Sequence, residues 1–310
     1  MAGQIYQIEK LSFPQIEALD RGKTIVLIAI SPLEEHGPHL PVGVDAFNAR
    51  FFANHTAETV LKARPDYDAL LFPLLPLGTQ VYKHIGSFYI KPETLYDIVY
   101  NTGRSIARYG FANIFVINAH GTPKQFVAIE SACRKVSKKE NARMVSLSGG
   151  LAMKLLSGEL WRQIAVKLGR EFSAEEKHLL KHDYHAGWWE TSMALLYNPE
   201  LVDKSYQDLT PYLQDFISKK ILTPDKKWQG YYGAPAKADP EFARASVEVF
   251  TEQVQDLILR SIAGEDIAQK LRSPFYRYPI FHPFFKRSLL IGLVGVVFIV
   301  MLILLLKAYL

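Results

Sequence analysis

"TIVLIAI", Thr24 to Ile30, runs straight into "SPLEEHGPHLPVGVD", Ser31 to Asp45. The first piece is apolar and rich in β-branched residues with no polar break, which predicts a strand buried on both faces. The second holds three carboxylates, two histidines, three prolines and two glycines in fifteen residues. That composition is too broken for a helix, so it predicts a loop at the strand's carboxyl end. In open α/β sheets, ligands and catalytic groups gather at that edge.

Outward from this junction, strand-like runs fall at 24–30, 69–73 ("ALLFP"), 113–118 ("NIFVIN") and 144–148 ("MVSLS"). Helical periodicity falls at 46–63, 92–109, 124–138, 152–168 and 240–263. Strand followed by helix, repeated, predicts a three-layer α/β/α fold with a mostly parallel sheet. In "GTP", Thr122 is a candidate N-cap and Pro123 a first-turn proline for the helix at 124. The stretch 203–238, with "TPDKKWQGYYGAPAKADP", predicts a long surface excursion serving as a lid or an oligomer contact.

Composition narrows the class. A chain of 310 residues with 49% hydrophobic content can bury a large core. The single cysteine, Cys133, excludes an internal disulfide framework and cysteine-rich zinc sites. Net charge is +5, but Lys and Arg are scattered without a basic stripe, so nucleic acid is not an expected partner. The amino-terminal segment carries acids and no apolar run, unlike a secretory signal.

The other end differs. "LLIGLVGVVFIVMLILLL", Leu289 to Leu306, has eighteen residues without a charge. As a helix these would reach roughly 27 Å, near the thickness of a bilayer's hydrocarbon core. This predicts a transmembrane helix over 288–307, joined by a Pro- and aromatic-rich juxtamembrane linker over 271–287 to a catalytic domain over 1–270. Lys286 and Arg287 upstream, with only Lys307 beyond, predict a single-pass anchor with the domain on the cytoplasmic side.

The chemistry-bearing residues converge on the sheet's carboxyl edge. In extended backbone Glu34 and His36 point the same way. Asp45 follows after a loop able to fold back, and "INAHGTP" delivers His120 at the end of another strand. Two carboxylates and two histidines without thiolate fit Zn, Mn or Fe, and a shared carboxylate fits a two-ion centre. His39 and His84 read as surface or hydrogen-bonded residues, and Glu35 as solvated or paired. Trp188 and Trp189 are either pocket walls or core. Tyr82, Lys83 and His84 are candidates for substrate contact.

The run "EEHGPHLPVGVD" resembles the signature of the creatininase family, creatinine amidohydrolase and its relatives. "ARYGFANIFVINAHG", "HAGWWETSMALLYNPELVD" and "GYYGAPAKAD" are similar to further family segments in the same order, over about residues 5–265. The resemblance implies that Glu34, Asp45 and His120 hold one divalent ion and His36 with Asp45 a second, Asp45 bridging them. A water between the ions would be the nucleophile, and His185 would move the proton to the leaving nitrogen. It also implies a small-molecule amide substrate and a homo-oligomer. Two positions depart from the family pattern: Thr122 stands where creatininase has a ligand glutamate, and Trp188 where many relatives have an acid. Glu190 of "WWETS" is then a candidate ligand or catalytic base, against its plainer reading as a helix-start glutamate. The implied function is a membrane-anchored metal-dependent amidohydrolase acting on a cyclic amide, formamide or short peptide. The alternative is a catalytically weakened membrane-anchored binding or assembly subunit.

Overall fold

A computed structural model describes residues 3–214, 228–290 and 297–301. β1 (Ile5–Gln7), which a short helix α1 (Phe13–Glu17) follows, β2 (Thr24–Ile30), β3 (Asp68–Leu75), β4 (Asn113–Ile117) and β5 (Arg143–Ser146) form one sheet in the order β1-β3-β2-β4-β5. Every pairing in it is parallel. Parallel strands need crossovers, and these are the helices of the two outer layers. The expected three-layer α/β/α architecture is therefore present.

β2 sits at the centre and is buried along its whole length. Ile25, Leu27 and Ala29 face one layer, with Ala49, Ala53 and Ala57 of α2 (Val44–Ala63) and with Phe242 and Phe250 of a long helix, Pro240–Ile262. Val26, Ile28 and Ile30 face the other, with Leu95 and Val99 of α3 (Pro92–Arg108) and Ile129 and Val136 of α4 (Pro123–Lys139). Each fully buried Val, Leu, Ile or Phe among these contributes about 1.5–3 kcal/mol. The alanines of α2 let its backbone approach the sheet closely. Because α2 carries the chain to β3 on one side of β2, and α3 carries it back to β4 on the other, the winding reverses around β2. A crevice opens at such a reversal, outside the strands' carboxyl ends.

Several elements differ from expectation. The helix predicted over 152–168 is two helices, α5 (Gly149–Leu156) and α6 (Trp161–Leu168). Between them Gly158 has φ +85°, a left-handed conformation that ends helical winding. β1, α7 (Ala174–Leu180) and α8 (Trp188–Tyr197) were not anticipated from periodicity. Thr122 is the N-cap residue of α4 and Pro123 opens the helix, but the Thr122 hydroxyl does not cap it.

The membrane expectation is corrected. Among the described residues no helix is long and apolar enough to cross a membrane. Of the span drawn over 288–307, the described parts belong to helical pieces at 285–290 and 297–301. Residues 291–296 and 302–310 lie outside the described residues. The membrane localisation and the cytoplasmic orientation derived from that span fall with it. Before it, the segment expected as a linker forms the turns Pro274–Arg277 and Pro279–Phe281. Ser273 binds Glu130 of α4, and the Phe284 ring meets Tyr96 of α3 edge-on at 5.1 Å.

In the excursion at 203–238, residues 215–227 lie outside the described residues. Its described part returns to the domain through bridges pairing Tyr212 with Gly233 and His185 with Tyr232.

Candidate metal centre

At the crevice, Glu34, Asp45 and His120 form one group of potential ligands, and His36, His185 and Glu190 form a second. Glu34 and His36 leave the end of β2, and the Glu34 amide donates to the Val42 carbonyl at 2.9 Å. This folds the loop back so that Asp45 arrives in the first turn of α2, where the helix dipole favours a negative charge. His120 follows β4. The Asn118 amide nitrogen donates to the His120 carbonyl at 2.8 Å, and its oxygen accepts from Gln125 at 3.0 Å.

The Asp45 carboxylate faces both groups. Its Oδ2 lies 2.9 Å from His120 Nδ1 and its Oδ1 lies 3.5 Å from His36 Nε2. Glu34 Oε2 lies 3.1 Å from His120 Nδ1, and Glu190 Oε2 lies 3.6 Å from His36 Nε2. Ligands bound at about 2.0–2.2 Å around one ion stand about 3–3.5 Å from each other, so these spacings fit two ions sharing Asp45. His36 Nδ1 lies 2.9 Å from the Glu34 carbonyl, an acceptor, so that nitrogen carries a proton and Nε2 is the atom that can bind an ion once it is deprotonated. That Nε2 is buried with no hydrogen-bond partner, as are His120 Nε2 and Glu34 Oε2.

The electrostatics demand positive charge. Burial opposes ionisation of Asp45 and Glu34, yet the adjacent imidazoles outweigh it and hold both carboxyls below their ordinary range. Burial likewise opposes a charged His36, but Asp45 and Glu190 lift it to about 10. His120 is lifted well above its usual value against burial by Glu34 and Asp45. Protons thus neutralise the cluster where a dication would do so better. Glu190 is pushed upward, mainly by its own burial.

Thr122 and Trp188 are the two positions that depart from the family pattern. The Thr122 hydroxyl donates to the Thr79 carbonyl at 3.2 Å and offers nothing to the centre. Glu190, in the first turn of α8, accepts the Ala186 amide at 2.5 Å through the same oxygen that faces His36. Asp183 sets that turn: its Oδ1 accepts from Trp188 N at 2.6 Å and its Oδ2 from Trp189 N at 2.7 Å. Burial raises the Asp183 pKa to about 7 against those two bonds. Ala186, between His185 and the helix, has φ +47°, strained backbone for a residue with a Cβ.

His185 is bound to Glu35 through Nε2, 2.8 Å from the carbonyl and 3.3 Å from Oε1. Its ring lies 4.4 Å from that of His36 and 4.7 Å from Tyr82. Trp228, returning from the excursion, packs 4.5 Å from Tyr82 and 5.3 Å from Tyr232, closing this side of the centre with aromatic rings.

The other candidates separate clearly. Glu35 is buried and paired. His39 is also buried, with Nε2 2.9 Å from the Thr191 hydroxyl; its burial lowers its pKa to about 4. Lys83 and His84 are exposed, and only Tyr82 of that trio reaches the centre. Trp188 is core, packed on Phe242 at 5.2 Å, whereas Trp189 stacks on Phe52 at 6.5 Å and lines a cavity. Sequence reasoning missed Asp183 and Trp228. Asp183 lies four residues ahead of Gly187, the N-cap residue of α8, so no capping pattern in the sequence marks it; Trp228 lay in an excursion without periodicity.

The family profile for creatinine amidohydrolase, Creatininase, matches residues 9–258 of the chain. No curated protein matches it. Among solved structures, a creatininase described with Mn is 21% identical, covering 83% of this chain and 98% of its own with a TM-score of 0.61. A mutant creatininase of Zn-Zn type is 20% identical, covering 83% and 98% with a TM-score of 0.59. A Bacteroides fragilis protein described as a candidate creatinine amidohydrolase is 18% identical, covering 84% and 98% with a TM-score of 0.61. At these identities the likeness speaks for the fold.

Proposed function

Because the chain belongs to the creatininase family, we propose that it is a metal-dependent amidohydrolase opening a carbon–nitrogen bond in a small cyclic amide, a formamide or a short peptide. The observation that carries this is the Asp45 carboxylate, which presents one oxygen to His120 and the other to the unpartnered Nε2 of His36. Nothing in packing requires so many buried titratable groups at strand ends.

Glu34, Asp45 and His120 would hold one divalent ion, and His36, Asp45 and Glu190 the other, with Zn, Mn or Fe suited to this donor set. When bound, such a pair supplies Lewis acidity and brings the pKa of water toward neutrality. The chain's own residues do the rest. Glu35 fixes the His185 imidazole, which donates a proton to the departing nitrogen; amide cleavage requires such a donor because an amide anion is a poor leaving group. Tyr82, Trp228 and Tyr232 exclude water from that face. Glu190, supplied by α8, answers the carboxylate missing at Thr122, which favours an enzyme over a weakened binding subunit.

The test is metal content per full-length chain by elemental mass spectrometry, alongside Asp45→Asn and a panel of cyclic amides and formamides. About two ions per chain, lost in the variant together with turnover, support the hydrolase. Near zero in both after incubation with Zn, Mn and Fe sinks it.

A further inference from the structure

Five of the six side chains at the centre are nearly closed to solvent: His36 and Glu34 at 0%, Asp45 at 1%, His120 at 5% and His185 at 6%. Glu190, at 14%, is the opening. Glu190 also borders a cavity of about 150 Å³ between the sheet's carboxyl edge, α5 and the long helix, which Tyr82 and Trp228 do not line. Leu147, Leu151, Leu155, Phe242, Phe250 and Val254 give it a mainly apolar lining, with Asn118, Ser148, Asp183 and Glu190 among its polar residues. Gly121, the residue after His120, also borders it and adds no side chain.

A cavity of about 150 Å³ with a mainly apolar lining has room for a group of about benzene-ring size. A small polar ring placed there would lose its hydrogen bonds to water and regain few. A convex apolar group is what such a lining recognises.

We propose that this cavity receives an apolar group of about benzene-ring size on the substrate, so that the enzyme acts on aryl or branched-alkyl amides in preference to small polar ones. The word substrate rests on the hydrolase reading above; the cavity's selectivity for apolar rings does not. The ring lies against Leu151 and Leu155, and the amide is thereby directed past Glu190 toward His36 and His185.

The experiment uses the full chain and 4-fluorotoluene, which has no bond to hydrolyse, followed by fluorine NMR. Saturable binding to the Zn-incubated protein is expected, weakened at least tenfold in Leu151→Trp and in Leu155→Trp, each of which fills the cavity; Leu155, half-buried, is the variant that folds if Leu151→Trp does not. Incubation with Mn in place of Zn is expected to speed relaxation of the bound probe's fluorine, because the cavity abuts the centre. Absence of saturable binding, unchanged affinity in folded Leu155→Trp, or no added relaxation in protein shown to contain Mn would each overturn the proposal. If the protein takes up no ion, the hydrolase reading falls by itself, and binding with its loss in the filled variants still decides the cavity. Where turnover is found, N-benzylformamide should exceed N-methylformamide in kcat/KM by tenfold or more in the wild type, and that ratio should collapse in Leu155→Trp.

Discussion

His185 and Glu35 are joined through a single imidazole nitrogen, which lies 2.8 Å from the Glu35 carbonyl and 3.3 Å from its carboxylate. The carbonyl belongs to the main chain and survives any substitution, so Glu35→Ala removes one of the ring's two anchors and leaves the other. Groups that orient a functional imidazole typically change activity by about 10–100-fold when removed. Glu35→Ala should therefore lower kcat by that order while leaving the ion content of the protein unchanged. Steady-state kinetics paired with elemental analysis checks this; loss of metal in step with activity would show that Glu35 helps to hold an ion.

Asp183 holds the first turn of α8 by accepting two backbone amides, from Trp188 and Trp189. Losing both bonds in Asp183→Ala should destabilise the fold by about 2 kcal/mol, the range of a lost helix cap. It also releases the turn that carries Glu190, so the second ion should be lost before the first. Gly233→Ala strikes the same place from the other side: its new Cβ would lie 2.0 Å from Asp183 Oδ1, at a φ of +143° that glycine favours. Urea titration and metal content measured together distinguish these effects, and an Asp183→Ala protein with wild-type stability would refute the capping role.

Glu190 and Thr122 make opposite predictions. Glu190→Gln should retain about one ion per chain and lose at least a hundredfold in kcat/KM. Thr122→Glu should add no ion, because the Thr122 side chain is directed to the Thr79 carbonyl and not to the centre. Two ions retained in Glu190→Gln would move the second site's last ligand elsewhere, with His185 the nearest candidate.

What the sequence discloses follows from how each signal is encoded. β2 was legible because both its faces are buried and the whole run is therefore apolar. Glu34, His36, Asp45 and His120 were legible because they directly follow strands or open a helix, so local position places them. α8 was not, because its Trp188 and Trp189 divide between core and cavity and leave no clean stripe. Nor was Asp183, whose partners are backbone amides that carry no residue-type signature. At the carboxyl end, an apolar run of spanning length resembles a membrane helix by composition alone, and its described pieces form no helix of that length.

Glu130 gives a prediction remote from the centre. It sits on α4, buried, and its two carboxylate oxygens meet the Ser273 amide at 2.8 Å and hydroxyl at 3.1 Å. Burial raises its pKa from 4.5 to about 7, and the two bonds from Ser273 only partly oppose this. Between those values the folded protein binds a proton that the unfolded chain has released, so stability attributable to this residue falls as pH rises from about 4.5 through about 7 and is level above. The full difference is on the order of 3 kcal/mol. Glu130→Gln keeps an acceptor for Ser273 and abolishes the titration. Its stability relative to the wild type should therefore rise by that order between pH 5 and pH 8, as read from urea midpoints at the two values. Taking the difference between the two proteins cancels every other titrating group, including those at the centre. A wild-type-to-variant difference that stays constant with pH would show that Glu130 titrates in the folded protein as it does in water, and that the contact with Ser273 is open to solvent.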